Sequence, residues 1–137
     1  MDTKKFLIGT LSGTVTSFAA SFLIFGLALK SYLSANASVI DSPAFHWIIL
    51  GQVLFAGLLS YIFLRWTGIK SLAGGAKAGA VIGLFVALGY NLILLGSTSM
   101  FSGGLSAAVV DALGSTLVWI TAGAGVGWAL GREKGDS

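Results

Sequence analysis

From Gly74 to Gly96 the chain runs GGAKAGAVIGLFVALGYNLILLG, a stretch with Lys77 as its only charge and no proline to interrupt it. As a helix rising ~1.5 Å per residue it spans about 35 Å, enough to cross a bilayer's hydrocarbon core of ~30 Å. No water reaches that depth to pair backbone N–H and C=O groups, so the stretch has to be helical. Every fourth residue along it is Gly75, Gly79, Gly83, Ala87 and Asn91. This is a ridge almost free of side-chain bulk that ends in an amide.

Three further runs have the same character. Phe6 to Leu29 follows Lys4 and Lys5 and is long enough for a membrane anchor that is kept, since Phe22 to Phe25 continue beyond any small-residue cleavage pattern. Ser42 and Pro43 supply a helix start, a cap followed by a proline whose missing N–H costs nothing in the first turn, so the second span is expected over 43–66. His46-Trp47 and Arg65-Trp66 sit at its ends as interfacial anchors. The remaining spans are expected at 76–96 and 105–130, joined by a Ser- and Gly-rich turn at 97–104. Lys30 to Phe45, with Asn36, Ser38 and Asp41, reads as the longest connection, and Thr67 to Lys77 as a shorter one.

Composition agrees with lipid as the solvent. Apolar residues make up 55% of the 137 positions and charged ones 9%, proportions that a water-soluble domain of this size does not sustain. The chain is accordingly read as one domain, 1–137: an all-α polytopic membrane protein of four transmembrane helices packed as two antiparallel hairpins. Lys4, Lys5, Arg65, Lys70, Lys77, Arg132 and Lys134 fall on one side of that arrangement and only Lys30 on the other. The side bias of Lys and Arg places both termini in the cytoplasm. These cations mark span ends rather than forming a basic patch with interleaved aromatics, so no nucleic-acid partner is expected. With no cysteine and one histidine, thiolate chemistry and histidine clusters are excluded within the chain. No catalytic constellation, metal-ligand spacing or cofactor motif stands out.

Between apolar helices in lipid, association depends on close van der Waals contact and hydrogen bonds, which favours small residues four apart. Gly9 and Gly13, then Gly75, Gly79 and Gly83, then Gly123, Gly127 and Gly131 are the helix-packing candidates; Gln52, Ala56 and Ser60 form a milder version. The ridge through the last span continues back as Trp119, Ser115 and Asp111, so an antiparallel partner brings Asp111 beside Asn91. Gln52, Asn91 and Asp111 lie at similar depths from the outer ends of their helices, and such groups are costly in lipid unless they find one another. They form the candidate polar cluster, with Lys30, Tyr90, Ser115 and Trp119 as contributors. A carboxyl held by two amides has the chemistry for proton or cation traffic. The alternative is a last span that begins later and leaves Asp111 in a hydrated first turn. Lys30 either reaches Asp111 or faces headgroups. A shift of seventy positions lays Gly9 on Gly79, Gly13 on Gly83 and Ser21 on Asn91, a match that fits either duplication or the abundance of glycine.

The layout, with GGAKAGAVIG after a short basic connector and TAGAGVGWALG near the end, resembles small bacterial four-helix inner-membrane proteins classed as domains of unknown function. That resemblance implies a bacterial cytoplasmic membrane and assigns no site residues. The expected partners are the bilayer and either further copies of the chain or a larger membrane complex. Three functions follow in order of expectation: an accessory or binding subunit, a small proton- or cation-linked transporter acting as a homo-oligomer, and a lipid-modifying enzyme. Asp111 is the one carboxylate near a helix, which leaves the enzyme last.

Overall fold

A computed structural model of the chain describes residues 2–39 and 42–133. Asp41 of the longest connection and Lys134 among the side-biased cations lie outside the described residues. The helices are α1 (Thr3–Leu23, continued by a π-helical turn Ile24–Ala28), α2 (Lys30–Asn36), α3 (Phe45–Ile62, continued by a π-helical turn Phe63–Thr67), α4 (Leu72–Ser97) and α5 (Leu105–Arg132). Among the described residues there is no strand. Four of the helical stretches, all but α2, are long and apolar enough to cross a membrane.

The helix ends depart from the sequence expectation in three places, each for a local reason. The segment expected as connection after Lys30 contains α2, because Leu33 and Ala37 bury against Phe101, Ala107 and Ala108 at the start of α5. Backbone bonds from Ser38 N to Met100 O (2.7 Å) and Gly103 N to Asn36 O (2.8 Å) tie it down. Ser42 does not cap α3. The N-cap is Ala44, without a side-chain bond, and the first helical residue, Phe45, packs edge-on against Phe18 of α1 at 6.2 Å. Helix α4 starts four residues before the expected 76, at Leu72, because Ser71 Oγ accepts from Gly74 N (3.0 Å) and caps it there. Gly104, which begins α5 at φ 75° and ψ −150°, adopts a conformation essentially restricted to glycine.

Helix α5 is the centre. Its small residues point in two directions: Gly123, Gly127 and Gly131 toward α4 and the segment before it, Gly114 and Gly125 toward α1. A methyl at Gly75 would strike the carbonyl of Gly123, one at Gly79 the carbonyl of Trp119, and one at Gly127 the carbonyl of Ser71. The α4–α5 pair therefore packs backbone to backbone. Helix α1 lies on the other side, with Gly9 and Gly13 against Val126 and Leu130. Helix α3 covers α1 through Ala56 and Ser60 and closes back on α5. Trp119 bridges α3 and α4: its ring lies 4.9 Å from that of Phe55, and its Cβ rests against Gly83.

Large apolar side chains cover the outside as well as the core, where Leu59, Phe63, Val126 and Leu130 pack together. Leu11, Val15, Leu54, Val81, Phe85 and Ile93 are each at least 60% exposed, while Ser17, Gln52, Ser60 and Asn91 are buried. Apolar side chains on the outside with small polar groups held between the helices are compatible with helices that cross a membrane. The N-terminal end of α1 and the C-terminal end of α5 meet at one face, where Lys4 Nζ lies 3.7 Å from Glu133 Oε2.

Candidate functional site

The register set by the glycines decides which polar residues meet. Gly75 lies opposite Gly123 and Gly79 opposite Trp119. Carried up the antiparallel pair one turn at a time, this register sets Asn91 beside the turn of α5 that holds Ala108 and Asp111. Asn91 is 5% exposed, and its Nδ2 donates to Asp111 Oδ2 (2.7 Å) and to the carbonyl of Ala108 (3.0 Å). Both amide hydrogens are thereby used. Asp111 is the seventh residue of α5, well past the first turn, and half-buried. Only its Oδ2 receives a donor among the described residues.

Gln52 belongs elsewhere, which corrects the expected three-residue cluster. Its Oε1 accepts from Ser17 Oγ (3.1 Å) and its Nε2 donates to Ser21 Oγ (2.7 Å), both on α1. The reason is helix order: α3 packs on α1, whereas α4 packs on α5, so the two amides at similar depth face different neighbours. Each hairpin thus carries one polar clasp of its own. Beside the first clasp, Ser17, Gln52, Phe55 and Trp119 border a void of about 20 Å³, room for a single water.

The expected contributors divide in the same way. Lys30 is exposed and makes no ion pair with Asp111; among the described residues the ion pair is Lys4 with Glu133. Tyr90, expected as a contributor, is 60% exposed and bonds neither Asn91 nor Asp111. Ser115 is half-buried one turn from Asp111, and Trp119 is buried as core packing.

One group of side chains stands outside the ridges legible in the sequence. Ser12 Oγ donates to the carbonyl of Gly125 (2.8 Å) and Thr16 Oγ1 to that of Thr121 (3.0 Å), tying α1 to α5. Their four-residue spacing and the offset of Gly125 from the Gly123–Gly127 ridge are the signals that point to this second interface. The hydroxyls of Thr10 and Ser60, on the facing surfaces of α1 and α3, are buried without a hydrogen-bond partner among the described residues. No group of three or more His, Cys, Asp or Glu residues comes together among the described residues. Comparison with family models, curated proteins and solved structures finds no match to this chain, which leaves the resemblance in layout resting on topology and glycine spacing.

Proposed function

We propose that the chain is a multi-pass membrane protein with both termini in the cytoplasm, acting as an accessory or binding subunit that presents its outer apolar faces to further copies or to a larger membrane complex. The supporting observation is the filled interior: backbone-to-backbone packing of α4 on α5, both Asn91 hydrogens consumed, and a central void of about 20 Å³. Such a chain is suited to holding a shape. Because it contains no cysteine, single-cysteine variants are free of background. Phe85→Cys and Leu54→Cys, at positions 76% and 66% exposed on α4 and α3, are expected to cross-link in native membranes to a neighbouring protein or second copy. A protein that stays uncross-linked at both positions and purifies as a solitary monomer sinks this reading.

The second reading, proton- or cation-linked traffic in a homo-oligomer, is favoured by the Asp111 oxygen that receives no donor among the described residues. It requires a pH-dependent flux in liposomes that Asp111→Asn and Asn91→Leu abolish. Flux unchanged in both variants removes it.

A further inference from the structure

We propose that the furrow between α1 and α5, at the end where the two helix termini meet, holds an anionic phospholipid with an acyl chain along the furrow and the phosphate at Arg132. This inference is independent of the accessory role.

The furrow has a volume of about 430 Å³. Its walls are apolar and turned outward: Leu11 is 66% exposed, Val15 61% and Trp128 47%. The floor carries Ser12 and Thr16, but their hydroxyls are committed to the carbonyls of Gly125 and Thr121. An acyl chain laid over them meets no orphaned donor. Gly125 creates this floor, since a methyl there would crowd the Thr16 side chain and come within 3.1 Å of the Ser12 carbonyl. From Ile8 to Thr16 the furrow follows α1 for about 12 Å, in the direction taken by a lipid tail.

Charge identifies the headgroup. The furrow ends at Arg132 and Glu133. The Arg132 guanidinium stacks on Trp128, 5.0 Å from the ring centroid, which holds it at the mouth. Glu133 is engaged by Lys4 at 3.7 Å, and among the described residues no carboxylate lies within ion-pair reach of Arg132. Arg132, Lys4 and Glu133 together carry one net positive charge, the complement of a phosphodiester. The planar fork of the guanidinium suits two phosphate oxygens at once.

The test is native mass spectrometry of the purified full chain offered phosphatidylglycerol or phosphatidylcholine. The parent protein is expected to retain phosphatidylglycerol in preference. Arg132→Gln lowers that adduct about fivefold toward the phosphatidylcholine level, the factor equivalent to ~1 kcal/mol per basic residue at an anionic surface. Val15→Trp fills the furrow and lowers both adducts with helix content unchanged; should one variant not fold, the other decides. Equal retention of the two lipids, or adducts unchanged in the folded variants, overturns the proposal. Disulfide-linked dimers of Leu11→Cys in the membrane also overturn it, because they place a second copy in the furrow.

Discussion

Replacing Gly79 with alanine tests the close approach of α4 and α5 directly. The new methyl would collide with the Trp119 carbonyl oxygen and lie 2.9 Å from the carbonyl carbon and 3.1 Å from Ile120 Cα. All three are backbone atoms of a helix and cannot swing aside, so the helices must part by about 1 Å to recover an ordinary separation of ~3.5 Å. Overpacking of this kind costs ~1–3 kcal/mol. Alanine also favours the helix over glycine by up to ~1 kcal/mol, which would blur the result. Gly89 removes that ambiguity: it lies on the same helix, and among the described residues nothing comes within 4 Å of an added Cβ. Gly89→Ala keeps the propensity gain without the clash, so the two variants should differ by ~1–3 kcal/mol, Gly79→Ala being the less stable. Reversible unfolding in mixed micelles, followed by circular dichroism, measures the difference. Equal stability of the two variants would refute backbone contact at Gly79.

Two further outcomes follow. Asn91→Leu and Gln52→Leu should each cost ~1–2 kcal/mol, and because their clasps share no partner the double variant should be additive to within ~0.5 kcal/mol; a coupling energy above ~1 kcal/mol in the same unfolding assay would show that the amides meet. Gly104→Ala forces a side chain into a glycine-only conformation and should cost ~1–3 kcal/mol, measured against Gly96→Ala, where an added Cβ meets none of the described residues.

Much of the frame is legible from residue order. The ridge from Gly75 to Asn91 and the ridge from Gly131 back to Asp111 show in the spacing alone, because a period of four residues maps directly onto one helix face. Helix α2 does not show. Its seven residues lack the length to form a helix alone, and the segment is held by burial of Leu33 and Ala37 against Phe101, Ala107 and Ala108 and by backbone bonds to Met100 and Gly103, all some seventy residues away. Gly125 was hidden for a different reason: beside Gly123 and Gly127 it looks like part of one small-residue run, yet it faces α1 rather than α4.

By itself, then, the sequence determines that the chain has four helices long enough for a bilayer and which face of each is smooth, since hydropathy and periodicity are properties of the segment alone. Which smooth faces meet is decided in the tertiary structure. Depth along a helix follows from counting residues, whereas azimuth relative to neighbours depends on the order of α4, α5, α1 and α3 around the bundle. That order separates Gln52 from Asn91 and Asp111, gives each hairpin its own clasp, and opens the furrow that ends at Arg132.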